Sequence, residues 1–381
     1  MKSGRMTSMA VAGLGAIALA LGATACGSSD SDSQAAPSGS SGSAKADISA
    51  AQAVVDRHKA LPAKVGPQTP VGKPIPTGKK LAYINCGLEI CNDQGKALAE
   101  AAGVLGWSVR QINAKPTPEG TQAAFTEAVR QKPDTVIGLG YAKEAFQRQL
   151  AQLKQMKVPV MIGTGTDPSD PDGPGVDLQV LGPDDIAAQT RALADKMIVD
   201  VGGEGKIGVA FLTGFPGVKL YAEAFKDEVG ENCAKCKIEE IPIAPSSIGK
   251  DAATQIANWL RSKPDVGHVY LTYEDLGIGL PTAVKSVGGK MPKTYGQAPT
   301  AAGIADLESG VRTAAVGGGG VPEVAWTFVD ALARRFTGQS MEPDMRWGDF
   351  TIWSKEYNNL PDANLNQVKD YREQFKALWG K

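Results

Sequence analysis

Histidine is nearly missing from this chain. Only His58 and His268 occur among 381 residues, which leaves no material for a Ser-His-Asp triad or a histidine-based metal site. His58 falls in a proline-punctuated arm. His268 sits inside a strand pattern, where a packed or surface strand residue, not a base, is the expected role. An excess of positive charge is missing too: 40 Lys and Arg face 41 Asp and Glu, so nothing in the balance favours nucleic acid as a partner. Nucleotide loops are absent as well. The glycine-rich stretch GVAFLTGFPGV, residues 208–218, follows a strand pattern and opens a helix, but it contains neither GxxxxGK[ST] nor a clean GxGxxG. No metal or cofactor is expected.

What is present begins with export. Lys2 and Arg5 precede an apolar run from Met9 to Ala25, the order of a basic n-region and an apolar h-region. The run is short and rich in Ala and Gly, and so is poorly suited to a permanent anchor helix. Loss of Lys2 and Arg5 with a leader over residues 1–25 moves the net charge from −1 to −3. The sequence Leu21-Gly-Ala-Thr-Ala-Cys26 resembles a bacterial lipobox, although Ala23 stands where leucine is usual and Ala23-Thr24-Ala25 also fits an A-x-A cleavage site. Lipidation at Cys26 is expected, followed by the tether GSSDSDSQAAPSGSSGSA, placing the chain outside the cytoplasm on the membrane. The alternative is a secreted chain with the same linker. Residues 26–78 are read as tether and loosely docked arm, with a marginal helix over Asp47–Leu61 and an extended VGPQTPVGKPIPTG.

From Lys80 onward, strand-like and helix-like runs alternate. LAYINC, WSVRQINA, DTVIGLG and VPVMIGTG read as strands with helices between them, and IGVAFLTG, IEEIPIA, HVYLTY and KTYGQA repeat the scheme. Alternation of this kind predicts α/β architecture with parallel strands and right-handed crossovers, in two Rossmann-like lobes given about 300 residues. The tripeptide Lys-Pro-Asp closes a helix and opens a strand at Lys132–Asp134 and again at Lys263–Asp265, an echo consistent with lobes of equal topology. Asn92 or Asp93 is the expected cap of the first lobe's opening helix.

With Cys26 set aside, Cys86, Cys91, Cys233 and Cys236 remain, and four cysteines allow three pairings. One pair ends a strand and the other lies between a helix and a strand, at opposite ends of their lobes, which separates them too far for a shared zinc. An exported chain keeps disulfides. Two local bridges, Cys86–Cys91 and Cys233–Cys236, are therefore expected. A thiol oxidoreductase at Cys233-Ala-Lys-Cys236 is disfavoured, because that pair follows a helix, where the dipole has the wrong sign to lower a thiol pKa.

The segments KLAYIN, KPDTVIGLG, VPVMIGTG, LGPDDIAAQTRALAD, FLTGFPGVKLYAEAFKDEV and GIADLESGVRTAAV together resemble the type I periplasmic binding proteins, within them the ribose and galactose group serving ABC importers. The resemblance runs from about Lys79 to Lys381. It implies a monomer without enzymatic activity that captures a small molecule between two lobes and passes it to an ABC permease with its ATPase; a ligand sensor for a membrane kinase is the alternative. It also implies lobes over 79–181 plus 321–348 and 182–320 plus 349–381, with crossings near Leu181–Gly182, Gly320–Val321 and Trp347–Phe350.

Departures from the sugar-binding pattern bear on the solute. Thr164-Gly165 stands where ribose-type sites carry Asp-Arg, Tyr273-Glu274 where they carry Asn-Asp, and Gln297 or Ala298 where a strand-end Asp is expected. The late Gln falls among Gly319 and Val321, while the basic residue early in the helix after GFPG is kept, as Lys219. Residues expected to face the solute are Leu88, Glu89, Tyr141, Thr164, Asp167, Phe215, Lys219, Tyr273, Glu274, Gln297 and Val321. A solute less hydroxylated than ribose or galactose is anticipated, with Lys219 able to hold a carboxylate, since unmatched buried polar groups cost about 1–3 kcal/mol each. Aromatic faces keep a sugar in play.

Overall fold

The structure is a computed structural model, and it describes residues 47–297, 300–317, 320–341, 350–361 and 366–381. Cys26, Ala298, Gly319 and Trp347 lie outside these residues. The described chain opens with α1 (Ser49–Arg57), then alternates β1 (Lys80–Asn85), α2 (Glu89–Val104), β2 (Ser108–Asn113), α3 (Pro118–Gln131), β3 (Thr135–Leu139), α4 (Gln147–Gln155), β4 (Val160–Gly163) and β5 (Leu178–Val180). These five strands form one parallel sheet in the order β2-β1-β3-β4-β5.

The chain continues through α5 (Pro183–Val201), β6 (Glu204–Leu212), α6 (Pro216–Asn232), β7 (Lys235–Ile243), α7 (Ala252–Ser262), β8 (Val266–Leu271), α8 (Leu280–Ser286), β9 (Lys293–Gln297), α9 (Ala301–Ser309) and β10 (Ala314–Gly317). It ends with α10 (Val321–Phe336), β11 (Thr351–Trp353) and α11 (Tyr371–Leu378). The second sheet runs β11-β10-β9-β8-β6-β7, and only β11 is antiparallel to its neighbour.

The burial pattern explains why the strands read as unbroken apolar runs. In β1 the side chains of Leu81 and Tyr83 enter a core with α2 and α10, while Ala82 and Ile84 enter a separate core with α3 and α4. Both faces are covered, so alternation disappears from the sequence. The second sheet is built likewise: Ile207 and Val209 pack under α5 and α6, whereas Ala210 and Leu212 pack toward α7 and α8. Each fully buried Leu or Ile in these layers contributes about 1.5–3 kcal/mol.

The repeated Lys-Pro-Asp does the same work twice. Asp134 accepts from the backbone N–H of Lys80 at 2.8 Å and pairs with Lys79 at 3.0 Å, tying β3 to the start of β1. Asp265 pairs with Lys206 at 2.7 Å, tying β8 to β6.

Three expectations are corrected. The helix after β1 starts at Glu89 with Leu88 as its N-cap, not at Asn92 or Asp93; the side chain of Asn92 instead accepts from Asn85 at 2.9 Å. The terminal stretch does not stay with the second lobe: Val368, Tyr371, Phe375, Leu378 and Trp379 are buried against Trp326 in the core of the first sheet. The arm is not loosely docked either. Ala51 and Val55 are buried in the core beneath α5, and Val65 and Val71 are buried in the core of the first sheet. Between them, His58 O accepts from Ile352 N at 2.8 Å and the His58 ring stacks on Phe350 at 4.1 Å. Further along, Val71 N donates to Leu378 O at 2.9 Å, while Arg334 and Gln339 donate to the carbonyls of Thr69 and Val71 at 2.6 Å each.

Candidate functional site

The carboxyl ends of the two sheets meet around one cavity of about 110 Å³. From the first sheet come Cys86 after β1, Leu139 and Gly140 at the end of β3, Thr164 after β4 and Leu181 after β5. The second contributes Leu212 at the end of β6, Tyr273 after β8, Gln297 closing β9, and Val316 with Gly317 closing β10. Helix starts complete the wall, with Leu88 and Ile90 at α2, Phe215, Gly217 and Val218 at α6, and Gly320 and Val321 at α10. The carboxyl edge of a parallel sheet is the general place for a ligand crevice.

A disulfide forms part of this wall. Cys86 and Cys91 are joined, as are Cys233 and Cys236. The first bridge ties the end of β1 to the first turn of α2. That turn has no side-chain cap at Leu88, so the covalent link holds what a capping hydrogen bond would otherwise hold. In the chain-entropy model a loop this short gives about 2 kcal/mol of stabilisation.

Of the residues expected at the site, Leu88, Thr164, Phe215, Tyr273, Gln297 and Val321 line the cavity. Five lie elsewhere, for identifiable reasons. Lys219 is 74% exposed and pairs with Glu223 at 3.3 Å, because Gly217, Val218 and Tyr221 on α6 face the cavity and Lys219, half a turn on from Gly217, faces away. Glu89 is exposed beside Leu88. Tyr141 turns back after Gly140 to lie against Phe125, ring centroids 5.4 Å apart. Asp167 accepts from the backbone N–H of Lys143 at 2.9 Å and pairs with its ammonium at 3.3 Å, clamping two loops together.

Glu274 is buried behind the wall rather than in it. Its carboxylate lies 3.4 Å from Arg312, in a slot kept open by Gly296 and Gly303, where a Cβ atom would meet its oxygens at 1.9 and 1.8 Å. Burial pushes its pKa up to about 7 against the opposing pull of Arg312. Burial, reinforced by Glu228, does the same to Asp195 on α5, also to about 7. Both groups hold protons more tightly folded than unfolded, so their stabilisation is complete below the unfolded carboxylate range and is lost as pH rises through 7. Thermal denaturation should therefore show a more stable protein at pH 5 than at pH 8. Glu274→Gln should remove part of that slope, on the order of 3 kcal/mol; an unchanged profile in this variant would show that Glu274 does not drive it.

Reading the sequence by strand ends alone passed over Gln94, Gln189, Tyr221 and Trp353, all of which line the cavity. Gln94 and Tyr221 were reachable by helical spacing, four residues beyond Ile90 and Gly217. Trp353 comes from the antiparallel edge strand β11, which no spacing rule predicts. Burial raises the phenol pKa values of Tyr221 and Tyr273, so both stay neutral. Among the described residues, none of those lining the cavity carries a charge.

The two halves touch across the cavity. A Cβ atom at Gly217 would lie 2.6 Å from the carbonyl oxygen of Thr164, and Ile90 of α2 packs into the apolar cluster of the second sheet. Thr164 itself holds a left-handed φ of 53°, an uncommon conformation for a β-branched residue. Two halves closing on a cavity at their strand ends define a known architecture, and residues 85–340 match the model of the periplasmic binding protein domain. The chain belongs to that family.

Solved structures of the same fold agree. An ABC sugar transporter subunit from Rhodobacter sphaeroides 2.4.1 is 18% identical, with a TM-score of 0.62 over 74% of this chain and 99% of that one. The 5-methylthioribose transporter solute-binding protein from Thermotoga lettingae TMO, in complex with 5-methylthioribose, is 14% identical, with a TM-score of 0.66 over 82% and 99%. GanP, a glucose-galactose binding protein from Geobacillus stearothermophilus, is 17% identical, with a TM-score of 0.61 over 75% and 100%. No curated protein matches by sequence. Members of this binding-protein family act outside the cytoplasm.

Proposed function

We propose that this binding protein captures a small solute between its two halves and delivers it to the permease of an ABC importer. The observation carrying this reading is the cavity itself, walled by the carboxyl ends of both sheets and by helix starts from both halves. A site so divided is complete only when the halves approach, so occupancy and closure are linked. The similarity to solute-binding proteins of ABC transporters supports the same role. A solute less hydroxylated than a free hexose suits a wall with few polar groups, and the T. lettingae neighbour's 5-methylthioribose is a sugar of reduced hydroxyl content. A thermal-shift screen tests the role: a ligand at 100 times its Kd should stabilise the protein by about 2.7 kcal/mol, with a smaller radius of gyration in solution scattering. A screen of sugars, acids and neutral carbonyl compounds that moves neither quantity counts against solute capture.

Membrane attachment through Cys26 belongs to the same reading, supported by the lipobox-like Leu21–Cys26 and the polar spacer after it. Cys26→Ser should shift the protein from the membrane fraction to the soluble one, and the wild-type mass should carry a diacylglyceryl group. An unlipidated wild-type chain cut after Ala25 would establish the secreted form instead.

A further inference from the structure

We infer that the solute presents carbonyl-type acceptor oxygens on a largely hydrocarbon body and brings few hydrogen-bond donors of its own. The inference rests on the capture reading above and narrows it to a chemical class.

On residues lining the cavity, the buried side-chain amides of Gln189 and Gln297 each leave one end without a partner among the described residues, and so does the indole N–H of Trp353. The Trp353 indole can only donate. One end of the Gln297 amide meets the hydroxyls of Tyr270 and Thr190, and the other end has no partner among the described residues. Buried polar groups without partners are uncommon in folded proteins, and here they sit around a cavity.

The backbone points the same way. Helices α2, α6 and α10 all begin at this cavity, and none of the three has a side-chain hydrogen bond at its N-cap. The first-turn N–H groups of a helix have no intrahelical acceptor, and they carry partial positive charge. The Trp353 indole and the helix starts thus both supply donors, and among the described residues no carboxylate lines the cavity to receive a donor or balance a cation. A polyol would bring a proton on every hydroxyl into a site short of acceptors, and an ammonium would be desolvated without a counter-charge. A ketone, ester, lactone or carboxylate brings only acceptors. The remaining wall is aliphatic and aromatic, which suits a hydrocarbon skeleton.

Four six-membered-ring probes that differ only in their polar groups test this by thermal shift and calorimetry on the full mature chain: cyclohexanone, cyclohexanecarboxylate, myo-inositol and cyclohexylamine. Binding by cyclohexanone or cyclohexanecarboxylate, and not by the other two, is the expected result, and which of the pair binds separates a neutral carbonyl from an anion. Trp353→Phe keeps a ring in place but removes the N–H, and should weaken the bound probe about 3- to 10-fold. An equal affinity in this variant would remove the indole from the assignment. Binding by myo-inositol, ribose, galactose or cyclohexylamine, with no response to either carbonyl probe, overturns the inference and leaves solute capture standing. If no probe of any kind binds and none compacts the protein in solution scattering, the inference and the capture reading both fail.

Discussion

Gly217→Leu should lower solute affinity about 10- to 100-fold while leaving the unliganded protein as stable as wild type. Gly217 lies in the first turn of α6 after Pro216, where a side chain is acceptable to the helix and glycine is disfavoured by about 1 kcal/mol relative to alanine. The obstacle lies across the cavity: a Cβ atom would sit 2.6 Å from the carbonyl oxygen of Thr164, a backbone atom that cannot rotate aside. The extra carbons therefore act as a wedge. Overpacking of this kind costs about 1–3 kcal/mol, and the expected cost falls where the two halves meet. Calorimetry with any solute found by screening, combined with thermal denaturation of the free protein, separates the two effects. A variant that binds normally would show that the Thr164–Gly217 contact is not part of the bound state; one that loses stability without solute would show a folding defect.

Arg334→Met should destabilise the protein by about 3–5 kcal/mol. Arg334 and Asp330 are both about 1% exposed and paired at 2.7 Å on α10. Asp330 also accepts from the indole of Trp379 at 2.8 Å, and Arg334 donates to the carbonyl of Thr69 at 2.6 Å. Removing the guanidinium strands a desolvated carboxylate, and with it goes the link from α10 to the arm. Removing both charges should be less damaging than removing one, because the stranded carboxylate dominates the loss. Chemical denaturation of Arg334→Met and of Asp330→Leu/Arg334→Met compares them directly, and a double variant worse than the single would refute this account.

The fold was legible because its strands are buried on both faces and its helices are amphipathic. α7 emerges at Ala252–Ser262, the stretch that Ile256, Trp259 and Leu260 mark by their spacing. The cysteine pairs were legible because each is short and local. The arm was not: Val65 and Val71 stand singly among prolines and glycines, and isolated apolar residues carry no period to read. At the site, strand-end reasoning located Leu88, Thr164, Phe215, Tyr273, Gln297 and Val321 on the cavity wall. It failed for neighbours of those same residues. Glu274 opens a 3-10 turn directly after Tyr273, so with Tyr273 on the wall Glu274 is carried behind it, and a paired dipeptide motif cannot be transferred whole. Gln189 and Trp353 depend on how distant helices and an antiparallel strand arrive, which only the assembled chain reveals.

The docked arm has a practical consequence for engineering. Sequence similarity to the binding-protein family begins only at Asn85, the end of β1, and even a recombinant head or fluorescent biosensor trimmed just ahead of β1 would lose Ala51 and Val55 from one hydrophobic core and Val65 and Val71 from the other. Gln339 and Gln374 would be left facing water where they now bind the carbonyls of Val71 and Ala63. Because the arm passes from one half to the other, its removal would also change how far the jaws can swing apart. A reporter dye calibrated on the trimmed protein would then register a different resting angle from that of the native molecule, so the cut belongs ahead of Asp47.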